Sequence, residues 1–139
     1  MIKFSKKEDY ALILLTRLFS GYKKRVVPLS EVAKEYQISL PLLRNLAFEL
    51  SSKNIISAKE GKGGGYFLAK DPKKIKIGEV LSLFSKKPML DCCPSILLKT
   101  KTKCSRENFC KPKNTWQKIN REFLDKIENL SLFDFINYK

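Results

Sequence analysis

Apolar residues recur at helical spacing from Tyr10 to Ser20, at Ala11, Leu14, Leu15, Leu18 and Phe19. That one-sided stripe predicts an amphipathic helix, and Gly21 behind it is a stop signal. A basic loop, Tyr22–Val27, follows. Ser30 reads as the N-cap of a second, short helix with Val32, Ala33 and Tyr36 facing inward. A tight connection through Gln37 and Ile38 leads to Ser39, a further N-cap. Pro41 then falls in the first turn of a third helix, where its missing N–H does no harm. Leu42, Leu43, Leu46 and Leu50 form the buried stripe of that helix. A longer helix followed by two short helices across a tight turn is the helix-turn-helix pattern.

The period then changes. Ile55–Lys59 and Tyr66–Ala69 are short strand-like runs around a charged, glycine-rich tip, Glu60-Gly61-Lys62-Gly63-Gly64-Gly65. This predicts a β-hairpin, and a hairpin directly after a helix-turn-helix is a wing. The glycines are not those of a phosphate loop, because the Lys-Ser/Thr ending is absent and a strand follows instead of a helix. Asp71-Pro72 breaks the chain. Ile77, Val80, Leu81 and Phe84 mark a short fourth helix. Residues 85–113 show little periodicity, include Pro94 and Pro112, and hold all the cysteines. Asn114–Leu130 predicts a long helix, with Trp116, Phe123 and Leu130 seven apart and Ile119 and Ile127 between them. Such a stripe is a seam for another helix, and a second copy of the chain is the expected partner. Ser131 can cap a last segment carrying Leu132, Phe133, Phe135 and Ile136. The expected fold is mainly α with a small β-hairpin: a winged helix-turn-helix followed by a long dimerisation helix. It divides into a DNA-binding unit (1–84), a cysteine-bearing loop (85–113) and a dimerisation helix with a C-terminal segment (114–139).

Composition agrees with a globular chain: of 139 residues, 43% are apolar and 30% charged. The longest apolar stretches, such as Ala11–Leu15, are far short of a membrane span, and Met1–Asp9 lacks a signal peptide's apolar core. A cytoplasmic protein without membrane association is expected. The charge changes the picture more. There are 28 basic and 14 acidic residues, a net charge of +14. Residues 114–139 are balanced at four and four, so the whole excess lies in residues 1–113. So positive a surface attracts polyanions, chiefly nucleic acid or anionic lipid. The absence of histidine excludes His-based triads, His-containing zinc fingers and His-held haem.

Two constellations carry chemistry. The third helix exposes Arg44 and Asn45 opposite its leucine stripe, close to its N-terminus beside Leu40 and Pro41. Arg pairs bidentately with guanine and Asn with adenine in the major groove. Backbone N–H groups near Ser30 and Ser39 suit phosphate oxygens. In the wing, Lys59 and Lys62 supply charge, while Gly63 and Gly64, ahead of Tyr66, let the backbone lie close to a sugar-phosphate chain. Charge, wing and capping pattern together point to double-stranded DNA. The second constellation is Cys92, Cys93, Cys104 and Cys110, within 19 residues of a lysine-rich loop. Four cysteines in a cytosolic chain suit metal ligation or reactive thiols better than structural disulfides. The Cys-x-x-Cys knuckles of structural zinc sites are absent. Thiolate-only loops without knuckles suit an iron–sulfur cluster, and the basic neighbours Lys99, Lys101, Lys103, Arg106 and Lys111 favour thiolate. On spacing alone an iron–sulfur cluster leads, with reactive thiols and zinc as alternatives.

The chain resembles the IscR/NsrR family of winged-helix transcriptional regulators, many of which carry an iron–sulfur cluster. The resemblance rests on Asp9-Tyr10-Ala11, Pro28-Leu29-Ser30-Glu31-Val32-Ala33, Ile38-Ser39-Leu40, the wing Gly61-Lys62-Gly63-Gly64-Gly65-Tyr66-Phe67-Leu68-Ala69, Ile77-Gly78-Glu79-Val80-Leu81, and Cys110 with Trp116 six residues later. These segments span essentially the whole chain in order. The resemblance implies that Cys93, Cys104 and Cys110 are cluster ligands. The first gap, ten residues, is five longer than usual in that family and leaves room for Cys92 to substitute for Cys93. The histidine that one branch uses three residues after the last cysteine is Lys113 here, which cannot ligate. The other branch uses an aspartate at the start of the first helix, donated by the dimer partner, and Asp9 matches that position with Glu8 beside it. Two departures stand out. Glu60 occupies a wing position often held by Arg, and Arg44 and Asn45 replace the pair seen in the IscR branch, so the operator should differ.

The expected function is therefore a homodimeric, DNA-binding transcriptional regulator, not an enzyme. It would respond to redox state, iron or nitric oxide through a 2Fe–2S or 4Fe–4S cluster. The alternatives are the same fold acting as a metal-free thiol sensor, an iron–sulfur electron carrier without DNA binding, and a metal-free basic scaffold.

Overall fold

The computed structural model of the chain describes residues 6–84, 106 and 108–139. Its elements are α1 (Lys6–Ser20), α2 (Leu29–Tyr36), α3 (Leu40–Ser52), β1 (Ile56–Lys59), β2 (Gly65–Leu68), α4 (Ile77–Phe84), α5 (Lys111–Asn129) and α6 (Leu132–Ile136). The expected class holds: mainly helical, with a two-stranded antiparallel hairpin.

The α1 helix begins four residues earlier than its apolar stripe, and Glu8 and Asp9 fall in its first turn. Carboxylates there meet the positive end of the helix dipole. Its inner face, with Leu14 and Leu15 fully buried and Leu18 at 1% exposure, packs on Leu43, Leu46 and Leu50 of α3. Burial of each such leucine stabilises the fold by roughly 1.5–3 kcal/mol.

Two local expectations about α2 are corrected. Ser30 is not its N-cap: the helix starts at Leu29, with Pro28 in the capping position. The Pro28 carbonyl accepts the Glu31 N–H at 3.1 Å, so the first turn closes before a Ser30 cap could form. Leu29 is buried and anchors that earlier start, while Ser30 is exposed. Tyr36 is 41% exposed and does not face inward. The chain leaves the helix at Gln37, whose φ of 54° is left-handed. Ser39 does occupy the N-cap position of α3, with Pro41 in the first turn, although its hydroxyl makes no capping bond. The buried stripe of α3 is Leu43, Leu46, Ala47 and Leu50, and Leu42 is half-buried.

Arg17 ties α1 to α2. Its Nε donates to Glu35 Oε2 at 2.8 Å, and its Nη2 donates to Glu31 Oε1. Arg25 donates to the same Glu31 carboxylate from the other side, at 2.6 and 3.0 Å. The hydrogen bond from Arg25 holds the Glu31 carboxyl below its ordinary range, with both guanidinium charges adding to the effect and partial desolvation opposing it.

The C-terminal segment returns to the first core. The Ile77 N–H donates to Leu130 O at 2.9 Å, and the Leu132 N–H donates to Ile75 O at 2.8 Å. Leu132 is fully buried with Ile75 and Ile77. Ser131 caps α6 as expected, its Oγ accepting the Asp134 N–H at 3.1 Å. The apolar stripe of α5 therefore divides. Ile127 and Leu130 pack on this chain's own core. Trp116 and Ile119, nearer the start of the helix, are 45% and 43% exposed. Where α4 crosses the end of α5, a Cβ on Gly78 would lie 2.8 Å from the Glu128 Cα, so a side chain there would push the two helices apart.

Candidate nucleic-acid interface and cysteine site

The wing forms because two short strand-forming runs flank a tip that can reverse. Ile56 pairs with Leu68 and Lys59 with Gly65, and Gly61 and Gly63 take positive φ in the turn between them. Val27 adds a third strand-like contact, exchanging two backbone hydrogen bonds with Tyr66 at 2.8 and 2.9 Å. That contact dictates Gly65: a Cβ there would sit 2.5 Å from the Val27 carbonyl carbon. At least this wing glycine is required by the fold itself, independently of any ligand.

Between α3 and the wing lies an open cleft of about 800 Å³. Leu40, Arg44 and Phe48 of α3 form one wall, Ala58, Gly64 and Tyr66 of the wing the other, and Ser30 of α2 reaches its rim. Of the residues singled out from sequence, Ser30, Leu40, Arg44, Gly64 and Tyr66 are thus brought together. Ser39, Pro41 and Asn45 are exposed on or beside α3 but do not line the cleft, and Lys59, Lys62 and Gly63 are exposed on the wing. Phe48 was missed. It is 73% exposed, in the cleft, one turn beyond Arg44. The signal in the sequence was a large apolar residue out of register with the leucine stripe of α3.

Of the four cysteines, Cys92, Cys93 and Cys104 lie outside the described residues. Cys110 is a free, half-buried thiol at the N-cap position of α5, where it makes no side-chain capping bond. Lys113 lies in the first turn of the same helix. Asp9 is exposed at the start of α1, while its neighbour Glu8 is buried. Asp9 lines a pocket of about 430 Å³ with Leu12, Leu81, Ile127 and Phe135. Ile127 lies 17 residues beyond Cys110 on α5, roughly 25 Å along the helix at 1.5 Å per residue. Asp9 and Cys110 of one chain are therefore at opposite ends of α5. Among the described residues, no group of three or more Cys, Asp or Glu side chains is assembled for a metal. Among them, too, no helix is long and apolar enough to cross a membrane.

The sequence model of the Rrf2 family, described as iron-dependent transcriptional regulators, matches residues 4–138. The chain belongs to the Rrf2 family. It is a DNA-binding transcriptional regulator and not an enzyme. Among Rrf2-type relatives, it is 31% identical over 134 residues to an HTH-type transcriptional regulator of Aquifex aeolicus (strain VF5), covering 96% of this chain and 91% of that protein. It is 25% identical over 136 residues to the HTH-type transcriptional regulator IscR of Klebsiella pneumoniae (strain 342), covering 98% and 80%. Its fold is similar to that of CymR, the global cysteine regulator of B. subtilis, with a TM-score of 0.79, 19% identity, and coverage of 100% and 99%.

Proposed function

We propose that this Rrf2 regulator works as a homodimer whose affinity for a pseudo-palindromic operator is set by an iron–sulfur cluster. In this reading α3 enters the major groove, with Leu40 and Pro41 at its leading end and Arg44 and Asn45 reading base edges. Backbone N–H groups near Ser30 and Ser39 hold phosphate oxygens. Lys59, Lys62, Gly63, Gly64 and Tyr66 bring the wing against the flanking backbone. The observation that carries this reading is the cleft between α3 and the wing, with Arg44 on one wall and Gly64 and Tyr66 on the other, in a chain of net charge +14.

The cluster ligands are Cys93, Cys104 and Cys110, with Cys92 a substitute for Cys93, and Asp9 of the partner subunit as the fourth. The donor set fits the group: thiolates hold iron strongly, and a carboxylate is a weaker, exchangeable ligand. The distance between Asp9 and Cys110 within one chain supports donation across the dimer. The exposed Trp116 and Ile119 on α5 support a dimer formed along that helix. When bound, the cluster supplies a redox- and nitric oxide-sensitive link between subunits. A group that binds the DNA-competent dimer better than the alternative state shifts the population toward it, and its loss reverses the shift.

Anaerobic purification with a visible spectrum, iron and sulfide counts, and DNA binding before and after cluster removal tests the proposal. Stoichiometric iron and sulfide with a changed DNA affinity on removal is the expected result. Iron-free protein whose DNA binding follows thiol oxidation alone would establish the metal-free thiol sensor. A cluster without salt-sensitive DNA binding would establish an electron carrier. Alanine variants at Cys93, Cys104 and Cys110 should lose the cluster, Cys92→Ala should keep it, and Asp9→Ala should alter its spectrum or lifetime.

A further inference from the structure

Phe48 is not part of the hydrophobic core. It is 73% exposed, on a helix where Leu43, Leu46 and Leu50 are buried and Leu40 and Leu42 half-buried. It lies four residues after Arg44, so the two side chains share one helix face, one above the other. Both line the cleft that the wing's Ala58 and Tyr66 close from the opposite side. A large aromatic group left in water beside a base-reading arginine adds nothing to the stability of the monomer. It gains only if whatever enters the cleft offers it an apolar surface.

A DNA duplex in the major groove offers one such surface, the C5-methyl group of thymine, which apolar side chains including Phe recognise. We infer that Phe48 is a specificity-determining residue that selects thymine through its methyl group, one helical turn beyond the base read by Arg44. The inference rests on the proposed docking of α3 in the major groove. DNA is the occupant because the chain's family binds DNA, and α3 and the wing carry Arg44, Lys59 and Lys62 against Glu49 and Glu60, a small cationic excess. The contact adds a form of selection that polar residues in the same helix cannot supply. Arg44 and Asn45 distinguish bases by hydrogen bonding, whereas an apolar contact distinguishes thymine from cytosine or uracil by a methyl group alone.

The test uses the full-length protein and a randomised duplex library. Sites selected by the wild type are resynthesised with each thymine in turn replaced by deoxyuridine, which removes the methyl and leaves base pairing intact. Wild-type affinity should fall roughly fourfold at one thymine per half-site, the factor expected for one buried methyl-sized group. Phe48→Ala should bind the thymine and uracil duplexes equally, and Phe48→Leu should keep part of the discrimination. Arg44→Ala should remain sensitive to the methyl while losing preference at a neighbouring position. Wild-type protein that is indifferent to every substitution, or Phe48→Ala with undiminished methyl sensitivity, overturns the inference and leaves the DNA-docking reading intact. Failure of the wild type to enrich any sequence would instead overturn that reading, and this inference with it. Phe48 is too exposed for its replacement to unfold the protein, and an unchanged thermal midpoint verifies this.

Discussion

Leu132→Ala tests whether the last helix belongs to the core of the N-terminal domain. Leu132 sits seven residues from the C-terminus and would pass for a fraying end, yet it is fully buried beside Ile75 and Ile77. Its backbone N–H is also paired with Ile75 O at 2.8 Å. Truncation to alanine removes three carbons at about 0.8 kcal/mol per buried CH₂ and leaves a cavity that the short α6 can partly close. The expected cost is about 3 kcal/mol, a large share of the roughly 5–15 kcal/mol that holds a domain folded. For a chain of this size that lowers the midpoint of thermal unfolding by about 10 °C. Urea unfolding followed by circular dichroism, at one fixed protomer concentration, should show a lower midpoint with an unchanged slope. Phe135→Ala is the control: Phe135 is 38% exposed on the same helix and should cost about 1 kcal/mol or less. If Leu132→Ala shifts stability by under about 0.5 kcal/mol, the Leu132 side chain is not part of the core.

Four further outcomes are expected. Gln37→Gly should stabilise the fold by about 0.5–1 kcal/mol, because a φ of 54° carries a steric cost for any residue with a Cβ, and urea unfolding reads this. Glu31→Gln should be less stable than wild type at neutral pH. Because the folded Glu31 carboxyl lies below its ordinary value, the stabilisation is fully present above the ordinary carboxylate range and is lost as pH falls through the folded value. The gap between the two proteins should therefore close only in acid, and a gap that closes near neutrality would refute the Arg25–Glu31–Arg17 assignment. Lys62→Ala should weaken DNA binding equally across sequences and reduce the slope of log affinity against log salt by about 0.9 for one lost phosphate contact; an altered base preference would show that Lys62 reads sequence instead. Phe123→Asp should dissociate the dimer at micromolar concentration, since a charge in a dry interface costs several kcal/mol, while leaving the monomer folded. Sedimentation showing an intact dimer would move the interface off α5.

Local chemistry was enough to predict the order of elements. The i, i+3, i+4 leucines of α1 and α3 report a buried helical face before any partner is known. The glycine-rich tip between two short strand-like runs is a hairpin signal. Ser39 before Leu40-Pro41, and Ser131 before α6, both mark helix starts, although only Ser131 makes the capping bond. Where sequence reading failed, the deciding forces were long-range. Ser30 lost the cap to Pro28 because Leu29 is drawn into a core made by other elements. Tyr36, on the last turn of α2, faces water because nothing in the core reaches it. Nothing in the sequence near Gly65 shows that Val27, 38 residues earlier, is pressed against it. The stripe of α5 looked like one seam from its spacing. Only the packed structure divides it, because burial depends on what lies opposite: Ile127 and Leu130 meet their own core, whereas Trp116 and Ile119 face outward. The same holds for the site. Arg44 and the cysteines could be chosen by residue type and spacing. The isolation of Phe48 in the cleft, and the separation of Asp9 from Cys110 by most of the length of a helix, exist only in three dimensions.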